Sequence, residues 1–403
     1  MRRYQFLTNL YLLICALSIG ALTGLYLNVI NFVIHLVWKS LPTWLSIPAE
    51  WQAVAIIMPS SILIGLAQKY VGAYPLTIAQ ILGEVRVQGH FSYQNWWKIL
   101  FMALLILGAG ASIGPEASAS GLVAGMVYWL GSRYKLLRDQ APVNSAKSLA
   151  SQLQAIIFTR LSHGQQLRPI STYFSSRRQR QAFYLGWTLV GLVGFFSYFH
   201  FFPQEGVIGF HHPPLHWQWQ AILVVVPALV VGWGSGFGFV KVSRISERWL
   251  GDTKWPLLKA IGGGLLLGLG ARFSPAVLFS GEFSIVPFAH HSLAMSPLFL
   301  ITLAIVKTVV TNFGFALGWR GGTIFPAIFS SLATGAALAQ AFPWMPRLTA
   351  TLVVATAITI ILEKPLVSAV ILILLLPIQL SPFIILTCFA TNWLVDKHPQ
   401  LKP

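Results

Sequence analysis

The sequence predicts an all-α polytopic membrane protein. Of its 403 residues, 56% are hydrophobic and only 9% are charged, whereas a soluble domain usually carries about 25% charged residues. Long apolar runs such as 296–317 (SPLFLITLAIVKTVVTNFGFAL) have the length of a membrane-spanning helix, which needs roughly 20 residues. The chain has room for about ten such helices. We therefore expect one membrane domain over 1–403, embedded in a lipid bilayer, with no large soluble domain.

Apolar segments and the breaks between them give the order of the predicted elements. The first apolar segment covers about 6–38 and follows a basic N-terminus without a small-residue cleavage site, so it predicts a retained helix rather than a signal peptide. The segment at 71–84 contains Gly and Pro and is too short to span. A dense apolar run interrupted by prolines ends the chain at 349–395. Further apolar segments lie at 51–68, 182–202, 219–240, 257–272 and 296–317, and a shorter one at 97–107 leads into a Gly-rich stretch.

Basic residues strongly outnumber acidic ones and lie between the apolar runs. The net charge is +17, from 27 Lys+Arg against 10 Asp+Glu. Basic clusters occur at 133–138, 177–180 and 241–248, and such clusters usually flank membrane segments on the cytoplasmic side. We therefore expect a protein of the cell membrane with both termini in the cytoplasm, on the same side as the basic segment 132–181. Clusters in this position do not indicate a nucleic-acid partner.

Two Gly/Pro-interrupted elements, one in each half of the chain, indicate a site. They are GAGASIGPEASASGLVAG at 108–125 and GWRGGTIFPAIFSSLATGAALA at 318–339. Broken helices inside a membrane protein are tolerated where they are buried or line a cavity, and in transporters built from inverted repeats they form the substrate site. The first N–H groups of a helix lack internal partners and carry partial positive charge, so they can hold an anion. Alternatively, these glycines and prolines only allow close packing or kinks.

Several of these motifs resemble those of the chloride channel/transporter (CLC) family. The stretch 307–342 resembles the family's G-G-x-F-x-P segment, although GGTIFP has Ile324 at the pattern's Phe. GASIGPEAS resembles G-x-E-G-P, VGAYPLTIAQILGE resembles G-S-G-I-P, and 259–285 resembles a Gly-rich helix with its loop. The resemblance covers most of the chain, is most specific in 259–341, and suggests a divergent prokaryotic-type member.

The resemblance implies a CLC-like inverted repeat with broken half-helices at mid-membrane. It also implies a homodimer with one pore per subunit, which transports chloride or similar small anions, uses no cofactor and is not an enzyme. No soluble CBS-like tail is expected. The backbone amides of Thr323 and Ile324 are the first candidates for anion ligands, followed by those of Ile113 and Gly114. The whole implied anion site comprises Gly72, Ala73, Tyr74, Ile113, Gly114, Thr323, Ile324 and Phe325.

The sequence departs from the family pattern at the glutamates that carry protons in the family's exchangers. The family's gating glutamate falls on Ile113, and the internal proton-relay glutamate of exchangers has no clear counterpart at 181–202. Proton exchange needs a group that changes charge in the anion path, so the sequence favours passive, channel-like transport. Glu116 is the nearest acid. It either stabilises its own helix start or acts as a gate or proton relay, since an intramembrane acid is usually functional. The second interpretation would make the protein a proton/anion exchanger.

The remaining polar residues give weaker indications. Glu282 lies in a loop and is predicted to be structural or to line a vestibule. The pairs His211/His212 and His290/His291 could sense pH, but we interpret them as solvated loop residues, because no acidic or cysteine partner stands at metal-ligand spacing. We therefore expect no metal site. A membrane-embedded enzyme is a second alternative, but it would need clustered His, Asp or Glu, and the chain has only 10 acids.

Overall fold

The computed structural model describes residues 2–88, 91, 93–159, 170–203, 215, 217–251, 255–282 and 284–403. The helices of the first half are α1 (Arg2–His35), α2 (Leu41–Trp44), α3 (Ala49–Val71), α4 (Ile78–Gln88), α5 (Trp96–Gly108), α6 (Glu116–Asp139), α7 (Ala141–Asn144), α8 (Leu149–Phe158) and α9 (Arg177–Phe201). Those of the second half are α10 (Val225–Leu250), α11 (Pro256–Phe273), α12 (Ile285–His291), α13 (Pro297–Ala316), α14 (Ile324–Ala341), α15 (Pro346–Leu362), α16 (Pro365–Ile373) and α17 (Ser381–Lys397). Within the described ranges, the β-type pairing consists of an isolated bridge between Gly114 and Gly322. The predicted all-α class is confirmed.

Eight helical stretches of the described residues are long and apolar enough to cross a membrane. The sequence predicted about ten segments, and part of the difference comes from apolar helices that are shorter than a span, such as α5, α8 and α15. The eight stretches are Arg2–Trp44, Ala49–Val71, Arg177–Phe201, Trp219–Leu250, Pro256–Phe273, Pro297–Ala316, Ile324–Ala341 and Ile378–Lys397.

The chain divides into two compact units. The first comprises Met1–Asn31, Thr77–Leu100 and Ser118–Gln204. In it α1 and α9 pack closely through glycines, because a Cβ at Gly20 would lie 1.9 Å from the carbonyl oxygen of Gly191. Small residues at such positions let two helix backbones approach each other.

The same unit contains much of the basic segment 132–181, of which 160–169 lie outside the described residues. Arg133 is buried there, with 5% of its surface exposed. Its guanidinium donates to the carbonyls of Ile156 and Thr159 at the end of α8 and so satisfies acceptors that a helix end leaves open. This arginine is therefore part of the packed structure, within a cluster that the sequence analysis interpreted only as a cytoplasmic flank.

The second unit comprises Phe32–Leu76, Phe101–Ala117 and Glu205–Pro403. Its centre is formed by α14 and α15, most of whose residues are buried. The helix α10 packs on α15 through Gly232 and Gly236, where a Cβ would come within 2.7 Å of the backbone oxygens of Val353 and Ala357 respectively. All of the residues that the sequence assigned to the anion site belong to this unit.

Candidate anion site

The candidate site is built where two loops meet. The loop 109–115 leads into α6 and the loop 317–323 leads into α14. Gly114 and Gly322 exchange both of their backbone hydrogen bonds across these loops, with N···O distances of 2.7 and 2.9 Å. The starts of α6 and α14 are thereby joined, although 208 residues separate Glu116 from Ile324 in the sequence.

The approach of the two loops depends on glycine. A Cβ added at Gly322 would lie 1.9 Å from the Cδ atom of Glu116, and one at Gly321 would lie 2.0 Å from the Cδ1 atom of Ile113. No carbon atom can occupy these positions without moving its neighbour. The Gly-Gly pair of GGTIFP thus makes room for the side chains of the opposite loop.

The carboxylate of Glu116 binds the N-terminus of α14. Its Oε1 accepts hydrogen bonds from the amides of Ile324 at 2.8 Å and Phe325 at 3.2 Å, and the Glu116 backbone N–H contributes a further hydrogen bond. These amides carry the positive end of the α14 dipole and have no partner within their own helix. The carboxylate therefore occupies donors of the type that bind anions at helix N-termini.

The residues of this site differ in their exposure. Glu116, Thr323 and Ile324 are partly exposed, whereas Phe325 and both bridging glycines are buried. The second carboxylate oxygen of Glu116, Oε2, is itself buried and has no hydrogen-bond partner among the described atoms. The carboxylate is thus only partly satisfied by the protein.

The structure locates the predicted anion ligands as follows. Of the three predicted residues at the start of α14, Ile324 and Phe325 donate their amides to the carboxylate of Glu116. The amides of Ile113 and Gly114 donate to the carbonyls of Ala111 and Gly322 respectively. In this conformation neither of these two is available to an anion, because an amide has a single hydrogen to donate.

The third predicted segment lies at the end of α3. Gly72 has a positive φ of 108°, and the Tyr74 amide donates to the Gly72 carbonyl at 3.0 Å. The carbonyl of Ala73 accepts a hydrogen bond of 2.9 Å from the guanidinium of Arg320, in the loop before α14. This segment is therefore tied to the second Gly/Pro element through an arginine that the sequence analysis did not single out.

Sequence reasoning also missed a buried lysine. Lys307 on α13 has no exposed surface, and its ammonium donates to the carbonyls of residues 276–279 at 2.6 to 3.2 Å. Its position in the middle of the apolar run 296–317 was the available signal, since a charged residue there needs partners. The lysine holds the loop that precedes α12.

That loop also contains Glu282, which is 5% exposed and lies outside the membrane-spanning stretches. Its Oε2 is buried without a hydrogen-bond partner among the described atoms. Burial, and to a smaller extent the negative charge of Glu116, raises the pKa of Glu282 to about 8.

Of the predicted histidine pairs, His291 is the one residue whose side chain the structure describes. His211 and His212 lie outside the described residues, as does the side chain of His290, and His291 is an exposed residue that ends α12. Within the part of the chain that the structure describes, no three His, Cys, Asp or Glu side chains are grouped closely enough to hold a metal ion.

Comparison with known proteins identifies the family of the chain. A model of the voltage gated chloride channel family matches residues 175–396, more than half of the chain. YfeO of Escherichia coli, a candidate ion-transport protein, is 26% identical over 363 residues, which cover 84% of this chain and 81% of YfeO. The YfeO of Shigella flexneri is 25% identical over the same shares of both chains.

Solved structures show the same fold. The crystal structure of a slow cyanobacterial Cl⁻/H⁺ antiporter superposes with a TM-score of 0.73 at 17% identity and covers 98% of this chain and 96% of its own. A CLC-type fluoride/proton antiporter superposes with a TM-score of 0.66 at 15% identity and covers 95% and 94% respectively.

Proposed function

Because the chain belongs to the voltage gated chloride channel family, whose anion transport we take as the starting point, we propose that Glu116 gates the passage of chloride or a similar monovalent anion. The observation that carries the proposal is the pair of hydrogen bonds from the amides of Ile324 and Phe325 to the Glu116 carboxylate. A chloride ion that bound these amides would have to replace the carboxylate, since both carry one negative charge and use the same donors.

The mechanism follows from the charge of the carboxyl group. The ionised form competes with the anion for the amides, and the charge-assisted hydrogen bonds favour it. Protonation removes the charge, weakens these hydrogen bonds and lets the side chain leave. Anion entry is then linked to proton uptake at Glu116, so that anion flux rises as the pH falls. The solved relatives described as Cl⁻/H⁺ and F⁻/H⁺ antiporters support this form of coupling.

Passive transport is the alternative, and Ile113 is the observation that favours it. An isoleucine stands where the family resemblance places the gating glutamate, and its side chain packs against Gly321. If Glu116 only stabilised the starts of α6 and α14, the anion would pass without proton movement. Glu116 lies on the amides of a different helix, however, whereas stabilisation of its own helix would require only the α6 dipole.

Flux into liposomes distinguishes the two mechanisms. We expect chloride transport by the wild type to increase from pH 7.5 to pH 5 and a chloride gradient to drive proton movement. In Glu116→Gln, the anion flux should persist without pH dependence and the proton movement should be lost. Glu50→Gln, at the exposed start of α3, is the matched control and should behave like the wild type. Equal pH profiles in Glu116→Gln and the wild type, with no proton movement in either, would support the passive mechanism.

The assembly and orientation are part of the same proposal. We propose a homodimer in the cell membrane with lipid around it and both termini in the cytoplasm. The basic clusters at 133–138, 177–180 and 241–248 support this orientation. Chemical crosslinking in liposomes tests the dimer, since a monomer would give no crosslinked species at low protein density.

A further inference from the structure

Arg320 is a cationic side chain that the proposed gate does not use. It lies in the loop 317–323 that leads into α14, is partly buried, and donates from Nη1 to the carbonyl of Ala73 at 2.9 Å. This hydrogen bond occupies one of the five N–H donors of the guanidinium. The other donors have no acceptor among the described residues.

The charge of Arg320 also lacks a bound acid. Among the described residues its side chain forms no salt bridge, and Glu247 on α10, whose charge acts on it, is an exposed residue. A partly desolvated arginine is normally paired with an acid, because a charge that leaves water without a partner costs free energy. The unpaired guanidinium therefore indicates a ligand that carries negative charge.

The contacts of the guanidinium leave one of its edges unused. Its carbon atom lies over the ring of Phe315, 5.4 Å from the ring centroid, and the hydrogen bond to Ala73 uses Nη1. The group is rigid and planar, so Nε–H and one Nη2–H form a pair of parallel donors on the edge away from Nη1. Such a pair matches two oxygen atoms of one anion, whereas a halide offers a single acceptor atom.

This edge lies beside a segment that the sequence assigned to the anion site. Ala73, which holds the guanidinium, is exposed, and Gly72 is partly exposed. A Cβ added at Gly72 would meet the ring of Tyr74 at 3.5 Å and no other residue within 4 Å, so the segment leaves room for a small ion. Along the chain, Arg320 stands four residues before Ile324, whose amide holds the Glu116 carboxylate.

We propose that Arg320 selects the transported anion and binds planar monovalent oxyanions, such as nitrate or formate, more tightly than chloride. The inference rests on the proposed function and deepens it, because it names the class of anion that passes Glu116. The amides at the start of α14 hold a monovalent anion of any shape. The paired donors of Arg320 add a preference for two oxygen atoms in one plane.

Anion flux into liposomes at constant pH tests this preference. The measured quantity is the half-saturating concentration of chloride divided by that of nitrate, which should be about three or more in the wild type, because nitrate accepts both hydrogen bonds. Arg320→Lys keeps the charge but loses the paired donors, so this ratio should fall to about one. Arg272→Gln, at the exposed end of α11, is the control and should keep the wild-type ratio.

The outcomes separate this inference from the proposed gate. Glu116→Gln should lose the pH response but keep the wild-type anion ratio, since Arg320 is unchanged. A wild-type ratio of about one, or an unchanged ratio in Arg320→Lys, would overturn the role of Arg320 and leave the gate standing. If no anion crosses faster than in empty liposomes, the proposed function is wrong and this inference with it.

A chemical measurement on the wild type decides the question if Arg320→Lys does not fold. Phenylglyoxal reacts with arginine side chains, and mass spectrometry of the peptides locates each modified residue. Nitrate should slow the modification of Arg320 more than the same concentration of chloride does, while neither salt should slow that of Arg272. Equal rates for Arg320 in the two salts would contradict the preference for oxyanions.

Discussion

Gly322 has no side chain at the one place where the carboxyl of Glu116 passes it. A Cβ on Gly322 would lie 1.9 Å from Cδ and 2.2 Å from Cγ of Glu116, far inside the contact distance of two carbon atoms. The glycine therefore determines whether Glu116 can reach the amides of α14. A substitution at Gly322 therefore tests the position of the Glu116 carboxyl without changing the carboxyl itself.

Gly322→Ala should release Glu116 from α14. The added methyl group forces the carboxyl away from the Ile324 and Phe325 amides, so anion flux at pH 7.5 should rise several-fold and lose most of its pH dependence. Chloride efflux from liposomes measures both. Gly268→Ala on α11, where a Cβ meets nothing within 4 Å, is the control and should leave flux unchanged. A wild-type pH profile in Gly322→Ala would show that the carboxyl position does not control the flux.

The pKa of Glu282 predicts a pH-dependent difference in stability. Its pKa rises from the ordinary 4.5 to about 8 in the folded protein, so between these values the folded state keeps a proton that the unfolded state releases. The contribution of this group to stability therefore falls as the pH rises through this window and is constant above it. As the pH rises from about 5 to 8, the melting temperature of Glu282→Gln in detergent should rise relative to that of the wild type.

Glu50→Gln provides the comparison for that measurement, since its side chain is exposed. Its difference from the wild type should stay nearly constant from pH 5 to 9. A constant difference for Glu282→Gln as well would mean that Glu282 ionises in the folded protein as it does in the unfolded chain.

Lys307→Met should destabilise the protein strongly. The substitution removes the donor to four carbonyls, and a buried acceptor without a donor costs about 1–3 kcal/mol, while the loss of the desolvated charge offsets part of this cost. We expect a net loss on the order of 3 kcal/mol, seen as a lower melting temperature in detergent. Lys241→Met on α10, where the lysine is exposed, should change the free energy of unfolding by less than about 0.5 kcal/mol. Equal effects of the two substitutions would contradict the role of Lys307.

Cysteine labelling tests the orientation of the chain. In a background that lacks Cys15 and Cys388, a cysteine at Ser151 on α8 should resist an impermeant thiol reagent added outside intact cells. A cysteine at Gln218, an exposed residue directly before the helical stretch Trp219–Leu250, should react. Labelling after cell lysis confirms that Ser151→Cys is reactive at all. The reverse pattern would place the termini outside.

Hydropathy and motif spacing predicted much of the fold but less of the site. The apolar runs located the long helices, because span length is a local property of the sequence. The Gly/Pro elements located the two loops of the site for a similar reason. The partner of Glu116 could not be predicted, since a carboxylate at a helix start is equally well explained by its own helix. Lys307 and Arg133 were missed because their acceptors are carbonyls of distant loops and helix ends.

The three-residue offset between Ile113 and Glu116 has a consequence for the evolution of such proteins. On the proposal that Glu116 is the gate, a gating acid need not stand at a fixed alignment column, because the Glu116 carboxylate reaches the amides of Ile324 and Phe325 from three residues beyond Ile113. Relatives that lack an acid at one column should therefore be searched for a compensating acid within the following turn before they are classified as uncoupled. A protein whose motif lacks the acidic residue can thus still have a carboxylate in its anion path.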